Sequence, residues 1–357
     1  MRLRDEPAGG LPHALVLLGD QIYAHKPPFD TLDFIRSRRD TSAAPGEVVA
    51  DFVEYARLYR GAWGDPAIRW LLSTVPCAMI FDDHEVGDDW NVSAAWVEEV
   101  RHQPHWNAQI AGGHVSYLVY QHPGNLSPQE LQDNDLYAEI RATDDAWPLL
   151  RDAHRSHRDS TVARWSFCRD LGNVRLLAID SRGGRVLDEG RRSMFDAGEW
   201  AWIEGRATGG FDLLLGTSLP LMLEPGMHHL QAWNEKLCSG AWGRRAAKWA
   251  EDLRRSQDLD HWASFHASFG KMVGTIRSVV AGERGAPPST VLVLSGDVHH
   301  GYLAEASLNG AKPVSRVYQP SAPPSATPSP ARSRASSPRP GAGAPPAPEA
   351  RSPAWPA

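Results

Sequence analysis

The chain has 357 residues, 37 Lys and Arg against 43 Asp and Glu, a formal net charge of −6 and three cysteines. That length accommodates one large α/β domain or two smaller ones, and the mildly acidic balance excludes the basic footprint of a nucleic-acid or polybasic membrane binder. No apolar run approaches the roughly 20 residues of a membrane span, and Cys77, Cys168 and Cys238, far apart and without CxxC spacing, exclude a disulfide framework and a thiolate zinc centre.

Residues 1–14 are charged and broken by Gly and Pro, without the apolar centre of a signal peptide, so the sequence as it stands reads as cytoplasmic; an export signal upstream of the given start would make it secreted. From Leu15 the runs ALVLLGD, CAMIFDDHE, VRLLAIDSR, FDLLLGTS and VLVLSGDVHH predict buried strands, each ending in turn or polar residues. Helical patterns separate them. Val48, Val49, Phe52, Tyr55, Ala56 and Tyr59 make one apolar stripe, and Ser127-Pro128-Gln129-Glu130 is a capping box with proline at the first helical position. Asp196 caps a helix opened by GEW; WGRRAAKWAEDLRRS and HWASFHASFGKMVGTIRSVVAG predict two more. Strands alternating with helices predict an α/β layered domain over residues 15–319, with 101–164 as a helical, irregular insertion forming a lid or side wall. Residues 320–357 are almost wholly Pro, Ala, Ser, Gly and Arg; that composition predicts disorder, and reads either as a natural tail or as out-of-frame translation.

Three of the predicted strands deliver dense sets of hard metal ligands: Asp20 and Tyr23, then Asp82, Asp83, His84 and Glu85, then Asp297, His299 and His300. In an open α/β sheet ligands bind beyond the carboxyl ends of the strands, so these sets should converge although they are far apart in sequence. Carboxylate, phenolate and imidazole together suit hard or borderline cations such as Fe, Mn, Zn, Mg or Ca. A lone Asp at a strand end is usually a turn residue; three such clusters, each after an apolar strand, are not. Arg182 could meet a phosphate bidentately, or equally form a surface salt bridge to Asp180 or Glu199. His228 and His229 read as an exposed loop, and the tryptophans of AWNEKLCSGAWG and HWNAQ read as packing rather than as a substrate platform.

GDQIY, FDDHE and SGDVHHGY, in that order, resemble the metal-binding blocks of the PhoD-like (alkaline phosphatase D) metallophosphatases, of the calcineurin-like metallophosphoesterase superfamily. IDSR, the GEW helix opening and LLLGTSLP add to the likeness. The resemblance implies an α/β/β/α sandwich and two divalent or trivalent metal ions, with Fe and Ca the expected pair, hydrolysing a phosphate mono- or diester through a metal-activated hydroxide. It makes Asp20 the bridging ligand, and Tyr23, Asp83, Asp297 and His299 further ligands. His84 becomes the proton donor, with Asp82 as its orienter or an extra ligand, and Glu85, Ser218 and His300 stand behind them, with Thr217 near the metals. The resemblance also implies an upstream strand carrying a Cys or Asp ligand, which MRLRDEPAGGLPH does not resemble. The alternative expectation is therefore a truncated, catalytically impaired or non-catalytic relative. No feature of the sequence speaks for nucleic-acid or membrane partners, and none specifies the oligomeric state.

Overall fold

A computed structural model describes residues 10–88, 90–156, 164–306 and 315–323. The predicted tail from residue 324 onward and the first nine residues of the predicted irregular start therefore lie outside the described residues.

Among the described residues, eight strands form two sheets. β1 (Leu15–Leu17) and β2 (Cys77–Met79) pair in parallel, with Val16 opposite Ala78. The larger sheet has the order β3-β4-β5-β6-β8-β7, from β3 (Phe167–Leu171), β4 (Val174–Ile179), β5 (Asp212–Thr217), β6 (Thr290–Leu294), β7 (Tyr302–Glu305) and β8 (Arg316–Ser321). β4, β5, β6 and β8 run parallel, while β3 and β7 pair antiparallel at the two edges. The five apolar runs each became a strand. β3 went unpredicted because Cys168-Arg169-Asp170 breaks the apolar run; the tight turn Gly172-Asn173, with Gly172 at φ 66°, folds it back onto β4. β8 continues through Pro320 and Ser321, two residues past the expected end of the domain.

The two sheets meet face to face. Val16, Leu18 and Ala78 of the small sheet pack against Ile80, Phe167, Leu176 and Ala178. On the other face of the large sheet, Leu177, Leu215, Val291 and Val293 are buried under the Ala197–Arg206 and His266–Val280 helices through Trp200, Ile203, Met272 and Ile276. The Phe52–Trp63 and Trp106–Tyr120 helices pack on each other, and Asn125 of the short His122–Asn125 helix bonds both backbone groups of Met79 in β2. The Trp106–Tyr120 helix lies within the predicted insertion. Its residues Gln109 through Tyr117 are buried, and Gly112 and Gly113 let Tyr55 and Val86 approach its backbone. The rest of the insertion is a run of short helices, as expected, up to Ser156.

Local rules set the element ends. Asp51 accepts from the Glu54 N–H and starts its helix there, which leaves Val48 and Val49 of the predicted stripe in the preceding loop. Ser127 and Glu130 form the reciprocal box, and Asp196 accepts from the Glu199 N–H. The HWASF segment is a separate 3₁₀ turn, Trp262–Ser264, before the long helix. His228 and His229 lie in a helix, Pro225–Cys238, and not in a loop: Pro225 opens it at the first position, where its missing N–H costs nothing. Among the described residues, no helix is long and apolar enough to cross a membrane. The three cysteines are free.

Candidate metal and acid–base site

Because β1, β2, β4, β5 and β6 run parallel within their sheets, their carboxyl ends supply the site together. After β1 the chain turns at Gly19, φ 112°, and puts Asp20 at φ 54°; after β6, Gly296 is followed by Asp297 at φ 65°. Left-handed aspartates are uncommon, and two of them facing one cleft mark backbone held against its preference to aim carboxylates. The approach is close: a Cβ at Gly19 would stand 2.7 Å from Asp82 Cβ, and one at Gly296 would stand 3.2 Å from the Leu18 carbonyl oxygen. After β2, Asp82 and Glu85 close a capping box around the turn Asp83–Glu85. Glu85 also accepts from the Gln21 N–H at 3.0 Å and from Gln121 Nε2 at 3.1 Å, and the Ala24 N–H donates to the His84 carbonyl at 3.0 Å. These bonds stitch the two loops into one frame. A cleft of about 200 Å³ beside Leu17 and Pro323 is lined by Gly19, Asp20, Gly296 and Asp297.

Three sets of ligating atoms converge: Asp82, Asp83 and Asp297; Asp20, Asp83 and His84; and His25, His84 and Asp88. Tyr23 Oη donates to Asp20 Oδ2 at 3.3 Å, and its ring lies 4.5 Å from that of His84. Of the predicted ligands, Asp20, Tyr23, Asp83 and Asp297 are therefore brought together, with Asp82 and His84 among them and Glu85 directly behind. His299 is exposed and belongs to none of the three sets. His300 is also exposed and pairs with Glu224 at 3.1 Å. Ser218 and Thr217 are buried below the cluster, bonded to Ser181 Oγ at 2.9 Å and Trp262 Nε1 at 3.3 Å respectively.

Arg182 lies at the centre and makes no surface salt bridge. It is 2 % exposed. Its Nε donates to Asp82 at 2.5 Å and its terminal nitrogens reach Asp297 at 2.8 Å, Asp83 at 3.2 Å and Asp260. Asp180 holds the Arg182 backbone N–H, while Glu199 pairs with Arg164. Asp260 also binds Arg185 at 3.1 Å, and His261 Nε2 meets Asp297 Oδ2 at 3.0 Å with its Nδ1 on Gln231. The sequence reading missed Asp260, His261, Arg185, His25 and Asp88. DLDH follows a helix rather than a strand, so it lacks the strand-end signal, whereas the Asp88 of EVGDDW and the His25 of YAHK lay a few residues past clusters already marked.

The charges are unbalanced. Burial, then repulsion from Asp82, Asp83, Glu85 and Asp297, pushes Asp20 up to about 11. Burial raises Asp82 and Asp83 against the opposing pull of Arg182, and lifts Glu85 to about 7. Asp297 goes the other way despite burial, because His261 and Arg182 hold its carboxylate charged. Burial and Asp20 raise the Tyr23 phenol, so a phenolate there needs a further positive charge. Asp20 Oδ1 and Asp82 Oδ2 are buried with no hydrogen-bond partner among the described residues. Crowded, partly orphaned oxygens and one guanidinium fit added cations, and they are the oxygen donor set hard ions take.

The tryptophans divide. Trp106 packs edge-on against Trp96 as expected, but Trp233 meets Trp242 and Trp249 edge-on at 37, 70 and 54 % exposure. For Trp233 and Trp242 the packing expectation is corrected to a surface cluster, Trp242 lying in the turn between two helices and Trp249 on the second.

The family profile of PhoD-like phosphatases matches residues 3–170. A solved structure titled "Structure of PhoD" is 13% identical, with a TM-score of 0.53 over 88% of this chain and 52% of that one. The chain thus spans about half the length of that structure, and the likeness at this identity concerns the fold. No curated protein matches.

Proposed function

From the match of residues 3–170 to the profile of PhoD-like phosphatases, we propose that the protein hydrolyses phosphate mono- or diesters with cations held by its strand-end carboxylates. The supporting observation is the cluster Asp20, Asp82, Asp83 and Asp297, whose oxygens converge with too little positive charge to balance them. Asp20, Asp83 and Asp297 would hold the ions, with Asp82 beside them and Tyr23 joining as a phenolate once they are present. Iron and calcium are the pair the family resemblance favours; Mn, Zn and Mg suit the same donors. When bound, such cations draw in the phosphate oxygens and acidify water at phosphorus.

The remaining work falls to side chains of this chain. His84 stands at the rim with Nε2 3.9 Å from Asp20 Oδ2 and Nδ1 3.7 Å from Asp88 Oδ1. In that position its Nε2–H, on the side facing Asp20, can hand a proton to the leaving oxygen. Arg182 keeps Asp82, Asp83 and Asp297 from repelling one another, and Glu85 fixes the Asp20 and His84 loops relative to each other. With its guanidinium committed to carboxylates, Arg182 supports the cluster and is not the phosphate clamp its strand-end position suggested.

Hydrolysis of p-nitrophenyl phosphate and bis(p-nitrophenyl) phosphate tests the reading. Turnover should vanish with chelator and in Asp20→Ala, and fall by about 10²- to 10⁴-fold in His84→Ala. Undiminished turnover in both variants would sink it. A second reading has its own observation. Arg182 already sits where cations would, which suits a non-catalytic member of the fold. That reading predicts one ion or none per chain by elemental analysis, with negligible turnover.

A further inference from the structure

The side of His84 that faces away from Asp20 carries a different donor set. His84 Nδ1 lies 3.7 Å from Asp88 Oδ1, and His25 Nε2 lies 3.8 Å from Asp88 Oδ2. The two imidazole rings are stacked, with centroids 4.7 Å apart and 28° between their planes. One ligand atom from each residue falls within 4.8 Å of the other two. Both nitrogens of His25 and Nδ1 of His84 are buried, and none has a hydrogen-bond partner among the described residues. A buried polar atom left unsatisfied is destabilising, so three in one place call for something that fills the gap.

A cation is the ligand that fits. Zinc bonds of about 2.0–2.1 Å place neighbouring tetrahedral ligands roughly 3.3–3.5 Å apart, so each imidazole-to-carboxylate separation is a few tenths of an ångström too long, and the set as a whole, within 4.8 Å, has to contract around the ion. Asp88 is exposed, which leaves the fourth position to water. Two imidazoles with one carboxylate select borderline ions such as Zn²⁺ or Co²⁺, whereas the all-oxygen cluster behind His84 suits hard ions. We propose that His25 Nε2, His84 Nδ1 and Asp88 form a separate binding site for a zinc-class divalent cation. Occupancy there leaves the proton of His84 on Nε2, the nitrogen that faces Asp20, and fixes the ring's orientation.

The test uses the full-length, chelator-stripped protein, titrated with Co²⁺ in the presence of excess Ca²⁺ to occupy oxygen ligands. Bound cobalt is counted by equilibrium dialysis and its coordination read from the visible spectrum. Wild type should bind one more Co²⁺ per chain than His25→Ala or Asp88→Asn, and the tetrahedral cobalt bands should be absent from both variants. Asp88 is on the surface, so Asp88→Asn reports on the site even if His25→Ala fails to fold. Equal stoichiometry and identical spectra for wild type and Asp88→Asn would overturn the proposal. Neither readout involves phosphate-ester hydrolysis, so failure here and failure of the phosphatase reading are separately visible.

Discussion

Arg182 carries more of the site's electrostatics than any other side chain. It is buried among Asp82, Asp83, Asp260 and Asp297, and each of those carboxylates was moved out of water to reach it. Removing one partner of a buried ionic network leaves uncompensated charge, which typically costs about 3–5 kcal/mol. Arg182→Met should therefore unfold at a clearly lower denaturant concentration than wild type at pH 7. The sign with pH follows from linkage. Burial already raises Asp82 and Asp83 against the pull of Arg182, so without the guanidinium the folded carboxylates hold protons more tightly than in the unfolded chain, and the variant regains stability as pH falls from 7 toward the unfolded carboxylate range of about 4. A deficit that is constant from pH 7 to pH 5, measured by urea unfolding, would show that the loss is one of packing rather than charge. At this scale the sequence was legible for aspartates at strand ends. It was silent on the role of Arg182, because a guanidinium beside a strand looks alike whether it meets substrate, solvent or four carboxylates.

At the scale of elements, the turn after β1 is the most constrained segment. Gly19 has φ 112° and lies against the Asp82 side chain, and the following Asp20 is itself left-handed. Gly19→Ala meets both a disfavoured backbone region and a steric collision with Asp82. We expect a loss on the order of 2 kcal/mol or more, and displacement of the Asp20 carboxylate from its neighbours. Thermal unfolding checks the first part. A crystal structure of the variant checks the second, and an unmoved Asp82 with unchanged stability would contradict both. The five strands that the sequence marked have no exposed position along their length, which suits unbroken apolar runs. β3 and β7 are edge strands with exposed faces, so their residues alternate or break and the signal fades. The bounds of the Trp106–Tyr120 helix within the predicted helical insertion were not legible for a related reason: Gln109 through Tyr117 are buried, so no polar face gives a period there.

For the molecule as a whole, the carboxylate cluster makes stability depend on cations. Any ion that binds the folded chain alone adds RT ln(1 + [L]/Kd), about 2.7 kcal/mol at a hundredfold excess over Kd. For a domain of this size that raises Tm by roughly 5 °C or more. Calcium or manganese added to the chelator-treated protein should produce such a rise, and chelator should reverse it. A Tm that ignores both would mean that Arg182 alone satisfies the cluster. The sequence by itself determined the layered α/β class, the strand-end positions of Asp20, Asp83 and Asp297, and the family likeness in GDQIY, FDDHE and SGDVHHGY. Those features are written locally, in apolar runs and in the residues that follow them. Only the tertiary structure decided which side chains meet: that Arg182 joins four carboxylates, that Asp260 and His261 belong with Asp297, that His299 faces solvent, and that His25 lies over His84. Each of those contacts joins segments whose spacing in sequence carries no information about their distance in space, because it is set by sheet order and helix packing.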